Sequence, residues 1–373
     1  MKIVVFVEDF GATGVVRNTI AIATRLAEAG DKVTLLAAKP DGVLRETVPS
    51  AVSTAALSDA GQTDERKTLM RRTFRRFRFF ISEQRPDIVL SAGNHGHLLV
   101  LAGTRFLPCR TIVRISNDLE HRSNARNAGR WGRWKRRLKF RTLLRLADRV
   151  VLVSVKLHEQ VTALDSKLAQ KAVVIPNGVD IETVRASAKE AIALSGDIFG
   201  KAPIVLAMGR LVPQKNFATL LEAVAIARRS KDLQLLLIGT GPLKSDLTAS
   251  AERLGIGDAV RFIDPVTNPF PIMKRSAALV LPSWWEGSPN ALLEAIACGT
   301  PVIASRRAGN AEEILDNDRY GLLIDPDDAE QMAAGILRQL GPLRVLPGDR
   351  ARDYDRRIAL DAYAKLIAEM RSP

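Results

Sequence analysis

Lys2-Ile-Val-Val-Phe-Val7, then Asp9-Phe-Gly-Ala-Thr-Gly14, then Val15 to Ala29, then Val33 to Ala37: this run decides the fold. The first piece is β-branched and apolar without a polar alternation, so it reads as a strand buried on both faces. A glycine-containing turn follows, and the apolar spacing from Val15 to Ala29 reads as a helix that Gly30 stops. Val33 to Ala37 makes the next strand. Strand, helix and strand in that order form a βαβ unit, which requires a parallel sheet.

The same rhythm continues outward. A helix over 66–84 leads to strands at Asp87–Ser91 and Arg110–Ile115, a helix near 131–147, and strands at Arg149–Ser154 and Ala172–Pro176. Between Asn177 and Lys201 the pattern weakens, with a turn dipeptide at Asn177-Gly178 and loop-like glycines at 196 and 200. It then restarts, with strands at 203–208, 233–238, 259–263, 278–282 and 301–304. Helices near 216–229, 243–254, 289–298 and 326–340 separate or follow them, and Arg352 to Met370 is a last periodic stretch. The expected architecture is α/β: two Rossmann-like domains over 1–180 and 181–351, with parallel sheets facing across a cleft, and a terminal helix over 352–373. Such clefts are usual ligand sites.

At 373 residues the chain can bury two ordinary cores, and 46% hydrophobic with 26% charged residues is a globular balance. Cys109 and Cys298 fall in different halves with no metal-ligand cluster beside them, which reads as a reduced, cytoplasmic protein. The opening apolar run is too short for a secretory leader and meets Glu8-Asp9 at once. No stretch approaches the roughly 20 apolar residues that span a bilayer.

The net charge of +14 is localised. Arg66–Phe80 holds seven Lys/Arg and Arg122–Arg145 holds ten, neither with an acid; without these, 38 basic residues face 41 acidic ones. On a helix, Met70, Phe74, Phe77 and Ile81 form one stripe while Arg71, Arg72, Arg75 and Phe79 lie opposite. A solvated back explains the arginines but not Phe79, nor Trp131 and Trp134 in the second run. Basic helices with interfacial aromatics fit an anionic membrane surface, so a peripheral position on the inner face of the cell membrane is expected. A nucleic-acid binder would also be basic, yet no recognised module is present and none is expected as a partner.

Chemistry concentrates in the second half. Glu286-Gly-Ser-Pro-Asn-Ala-Leu-Leu-Glu294 places two carboxylates around a loop and a helix start, where free backbone N–H groups favour a phosphate or a polarised sugar oxygen. Gly209-Arg210-Leu-Val-Pro-Gln-Lys215-Asn216 follows the domain's first strand, and Arg210 and Lys215 could converge on one diphosphate or simply be solvated. Gly239-Thr-Gly241 follows the next strand but lacks the third glycine of a dinucleotide fingerprint. In the first half, Gly11 and Gly14, with Arg17 beside them, allow close approach of a ligand or satisfy a turn needing positive φ. His95 and His97, and Ser116-Asn117-Asp118 with His121, lie just past strands on the cleft side. Asp325-Pro-Asp327 reads as a strand end and helix cap, and Asp353 and Asp355 as residues of a charged helix; no metal site is expected.

The segment 286–305 resembles the signature of retaining glycosyltransferases of family 4, with two glutamates separated by seven residues, a small-residue helix and a Gly-x-Pro-Val turn. Gly-Arg followed by Lys-Asn, and the Gly239–Gly241 loop, match further parts of that pattern. The resemblance implies a GT-B fold whose terminal helix crosses back to the first domain, and a metal-independent enzyme that needs no cofactor. A sugar would move from a UDP- or GDP-linked donor to a glycan or lipid-linked acceptor. It assigns Glu286 to sugar hydroxyls, Glu294 to the ribose and Arg210 and Lys215 to the diphosphate. Gly209, Gly239, Gly241, Gly287, Asn290, Ala291 and Leu292 would line the donor pocket, and Gly11, Gly14, Asn117, Asp118 and His121 the acceptor or sugar side. Arg114 lies in the same stretch as Asn117. An epimerase or dehydrogenase acting on nucleotide-sugars would share the βαβ units but needs the missing fingerprint.

Overall fold

The computed structural model describes residues 1–371 apart from 12, 59–65, 94–95, 118, 120–129 and 193–198, and omits the side chains of 66–72, Arg130, Arg133, Arg136 and Lys139. It divides into two units, one built from Met1–Leu119, Trp134–Asn177 and Arg357 onward, the other from Gly178–Arg356 and, among the described residues before Trp134, from 130–133.

The first unit is a parallel sheet of β1 (Lys2–Val7), β2 (Lys32–Ala37), β3 (Ser53–Ala56), β4 (Ile88–Ser91), β5 (Arg110–Ile115), β6 (Arg149–Leu152) and β7 (Ala172–Val174). Among the described residues its order is β3-β2-β1-β4-β5-β6-β7. Register places Val4 opposite Val89 and Val113 opposite Val150, so each face carries a continuous apolar set. Ile3, Val5, Val7 and Ile112 pack against the helix Gly14–Glu28 and against Tyr363, Leu366 and Ile367 of the helix Arg356–Glu369. The opposite face packs Val4, Phe6 and Val89 on Phe77 and Ile81 of the helix Arg66–Gln84 and on Val100 of the helix His97–Thr104. Farther along it, Val113 and Val150 meet Phe140 and Leu144 of the helix Arg130–Leu146. Each such side chain contributes roughly 1.5–3 kcal/mol by leaving water.

Arg114 points into the first of these faces, 1% exposed. It donates to the Tyr363 hydroxyl (3.1 Å), the Ala92 carbonyl (3.5 Å) and Asn177 Oδ1 (2.6 Å). Its charge is solvated by neutral acceptors, two of them on the segments that leave and re-enter this unit. The terminal helix thus belongs to the first unit, by packing and by this bond.

The second unit is a parallel sheet of β8 (Ile204–Met208), β9 (Gln234–Ile238), β10 (Val260–Ile263), β11 (Ala278–Leu281), β12 (Val302–Ser305) and β13 (Leu322–Ile324), in the order β10-β9-β8-β11-β12-β13 among the described residues. In both sheets the strand order therefore reverses once, between β1 and β4 and between β8 and β11, and open parallel sheets bind ligands at the carboxyl ends beside that reversal.

Two readings of acidic triplets are corrected. The helix Ala329–Gln339 is capped by Asp328, which accepts from the Gln331 N–H (2.8 Å), while Asp325 and Asp327 are held by Arg307 at 3.1 and 2.8 Å. Asp353 lies in a 3₁₀ turn, Arg350–Tyr354, and Asp355 is extended and bridges to Val179 before the helix begins at Arg356. The strands β3 and β13 are unpredicted: β3 is an edge strand with mostly exposed side chains and no apolar run, while β13, Leu322-Leu-Ile324, is apolar and buried but only three residues long.

Candidate active site

The loops after β8 and β11 meet at the second sheet's reversal. After β8, a 3₁₀ turn, Pro213–Lys215, ends in Asn216 in the left-handed conformation. Asn216 is buried and ties the turn down, donating to the Pro326 carbonyl (2.7 Å) and accepting from Thr219 (2.8 Å). Gln214 donates to the Trp285 carbonyl (2.8 Å), and the Trp284 N–H donates to the Gln214 carbonyl (2.9 Å). Those bonds align the two loops so that Lys215 Nζ reaches Glu286 Oε1 at 2.6 Å. The two side chains are only 17% and 13% exposed, so the pair is less screened than a surface ion pair, whose worth is about 0–1 kcal/mol.

Glycines let these loops come together. A Cβ on Gly239 would lie 1.9 Å from the Gly209 carbonyl oxygen, one on Gly241 2.4 Å from that of Leu211, and one on Gly309 2.4 Å from that of Gly287. Backbone packing thus requires these glycines whatever else they do. Arg210, by contrast, is exposed and makes no side-chain hydrogen bond or ion pair among the described residues.

The helix Asn290–Cys298 starts beside Glu286 with no side-chain cap and ends at Gly299, whose φ of 79° is left-handed. Leu292 lies fully in the core, so only its backbone is available to a ligand; Asn290 and Ala291 are half-buried. Glu294 is half-buried one turn before Cys298. Burial first, and the Glu294 charge second, push the Cys298 thiol up to about 12.

Three residues here escaped the sequence reading. Ser283 Oγ, Ser288 Oγ and both amide atoms of Asn310 are buried without a hydrogen-bond partner among the described residues. Asn310 follows Gly309, which touches Gly287, so it belongs to the loop after β12 that backs the Glu286 loop. Its position past a neighbouring parallel strand was the available signal.

In the first unit, Gly11 donates to Asp9 Oδ1 (2.9 Å) and Gly14 opens its helix, with Thr13 accepting from the Val16 N–H. Neither glycine has a left-handed φ, which removes the turn explanation for them. His97 is corrected: it is buried and bonded to Ser91 Oγ at 2.7 Å, not turned to an open face. Asn117 is half-buried past β5, Arg17 is exposed, and His95, Asp118 and His121 lie outside the described residues.

A family model for glycosyl transferases group 1 matches residues 202–341, and one for glycosyltransferase family 4 matches residues 12–183. The N-acetylgalactosamine-N,N'-diacetylbacillosaminyl-diphospho-undecaprenol 4-alpha-N-acetylgalactosaminyltransferase of Campylobacter jejuni is 30% identical over 205 residues, 53% of this chain and 54% of that one. The lipopolysaccharide core biosynthesis glycosyltransferase LpsE of Rhizobium meliloti is 34% identical over 174 residues, covering 45% and 50%. The chain spans about half the length of these curated relatives. The Anabaena protein Alr3699/HepE, solved with UDP-glucose, superposes with a TM-score of 0.77 over 99% of this chain and 100% of its own at 17% identity, a likeness of fold. With both units matched by models of one group, and the two parallel sheets of the GT-B fold, the chain belongs to the glycosyltransferases of family 4.

Proposed function

We propose that the protein is a retaining, metal-independent glycosyltransferase that moves a sugar from a UDP- or GDP-linked donor to a hydroxyl of a glycan or lipid-linked acceptor. The observation that carries this reading is the Lys215–Glu286 contact at the carboxyl ends of β8 and β11. The two charges of this pair offset one another. A donor diphosphate offers Lys215 a second anion, and the sugar hydroxyls offer Glu286 donors, so both partners gain by turning to the substrate.

The bond from sugar C1 to the phosphate oxygen breaks and a bond from the acceptor oxygen to C1 forms on the same face. The departing phosphate takes the acceptor's proton. Negative charge grows on the diphosphate, where Lys215, Arg210 and the start of the helix Asn290–Cys298 supply compensation that elsewhere falls to a divalent ion. Glu294 holds the donor ribose. The roles left for Gly11, Gly14, Asn117, Asp118 and His121 are toward the acceptor or the transferred sugar, with Asp118 and His121 outside the described residues.

The names of the relatives support an acceptor at a membrane, since one carries a diphospho-undecaprenol and the other belongs to lipopolysaccharide core biosynthesis. UDP-glucose on the Anabaena protein supports the donor class. The protein would then act in the cytoplasm, peripheral on the inner face of the membrane; no helix among the described residues is long and apolar enough to cross one. A donor screen in excess chelator tests the reading, with diphosphate release followed for each UDP- and GDP-sugar and the product anomer read by NMR. An inverted product, or activity only with added magnesium or manganese, would overturn it.

A further inference from the structure

The described helical parts of the two acid-free basic stretches that belong to the first unit, 66–80 and 134–145, lie on one face of its sheet. The helices Arg66–Gln84, His97–Thr104 and Arg130–Leu146 all cover the sheet face that carries Val4, Phe6, Val113 and Val150. The middle helix joins the other two, since a Cβ on Gly103 would lie 2.4 Å from the Phe77 ring while Leu101 shares a cluster with Phe140 and Leu144. The outer side of this layer exposes Phe79 (68%), Phe106 (87%), Trp134 (58%), Leu98 and Leu138.

Phe106 is the sharpest observation. Its φ of 65° is left-handed, a conformation that a bulky side chain occupies only when its surroundings impose it. Arg78 imposes it by donating to the Gly103 and Arg105 carbonyls at 3.2 and 3.0 Å, and the Arg105 guanidinium sits 4.9 Å above the Phe106 ring. A strained turn thus presents an aromatic ring to the outside beside Arg105, and Arg75, on the helix Arg66–Gln84, is exposed as well.

We propose that this helix layer docks on an anionic lipid bilayer, with Phe79, Phe106 and Trp134 entering the interface and the surrounding arginines meeting lipid phosphates. The inference deepens the membrane placement of the proposed function and rests on it. RNA would be drawn by the same charge, but its single-stranded binders stack bases on aromatic platforms, whereas these rings are spread over three elements. A bilayer uses both the charge and the scattered rings.

The test is sedimentation of the whole protein with vesicles of phosphatidylcholine with or without phosphatidylglycerol. Binding is expected only with phosphatidylglycerol, and weakened by high salt. Phe79→Ser with Phe106→Ser should weaken it about tenfold, and Arg75→Glu with Arg105→Glu roughly a hundredfold. Phe106→Gly keeps the backbone conformation and removes the ring, so any loss it causes is not misfolding. Diphosphate release from a donor with a soluble acceptor should stay unchanged in every variant. Wild-type protein that ignores acidic vesicles at low salt, vesicle binding indifferent to these changes, or binding to single-stranded RNA alone would overturn the proposal. A failed donor screen with vesicle binding intact would sink the transfer reaction and leave the surface standing.

Discussion

In the second unit the loops beside the sheet reversal carry opposite charges that meet at 2.6 Å, held by Gln214, Trp285 and close-packed glycines. In the first unit the described part of the corresponding β4 loop carries a buried serine–histidine pair, and the cations stand instead on the helix layer of one sheet face. One topology thus holds its charges in two ways. Where they sit at strand ends they are paired and partly buried, which suits a small, highly charged ligand that must be recognised by direction. Where they sit on a helical exterior they are open and unspecific in geometry, which suits a broad anionic surface.

The contrast can be broken most directly at the ion pair. Lys215→Ala and Glu286→Gln are each expected to lower transfer about 10²–10³-fold, and the double variant to lose little more than either alone, because the two act as one unit. Additive losses, or rates within a few-fold of wild type at saturating donor, would show that the second unit's pair has no special standing. Folding of both variants is checked by circular dichroism.

Gly239→Ala asks whether the second site depends on backbone packing. A methyl 1.9 Å from the Gly209 carbonyl must push the loops apart, so a loss of about 1–3 kcal/mol is expected, with weaker donor binding in parallel. Calorimetry showing an unchanged melting temperature would mean that the loops yield freely and the pairing is incidental.

Tyr363→Phe makes the matching test in the first unit. Arg114 Nε loses its acceptor in a fully buried setting, and about 1–3 kcal/mol should be lost without a change in donor affinity. Hydrogen exchange would place the loss in β5 and the terminal helix; a loss confined to the second unit would contradict the division described here.

The smallest mutational effect is that of Glu294→Gln on the reactivity of Cys298. With its thiol near 12 instead of 9, its thiolate fraction at pH 8 is about a thousandfold below that of an ordinary cysteine, so alkylation should be correspondingly slow and should rise with pH throughout the alkaline range. Glu294→Gln should speed it only slightly, since burial outweighs the carboxylate. A large acceleration would mean that Glu294 and not the core sets this thiol's reactivity.

Much of this organisation was legible in the residues. The apolar runs and glycine stops located most strands of both sheets, and Gly299 marked the end of its helix. Lys215 and Glu286 were each legible as site candidates, but their contact was not: they are 71 positions apart, and it exists only because β8 and β11 are neighbours. Strand order depends on pairings between distant segments, which local periodicity does not encode. His97 misled for a related reason. Lying past a strand end, it looks accessible, but Gly96 lets the Phe6 ring come close and the histidine falls inside. Ser283 and Ser288 have no local signature, since a polar residue in a loop looks the same in sequence whether buried or solvated, and Asn310 is marked only by following a parallel strand.

The return of the helix Arg356–Glu369 to the first unit has a consequence for biosynthesis. A ribosome releases the strands of the first sheet early, yet Tyr363, Leu366 and Ile367, which cover one face of that sheet, emerge only after the whole second unit. The half made first is therefore finished last, and its uncovered apolar face must wait while the second half folds whole, a situation that invites chaperone binding. Nascent chains stalled with Asp355 as the last emerged residue should yield a protease-resistant second unit and a labile first one. Equal resistance of both would show that the terminal helix is dispensable for closing the first core.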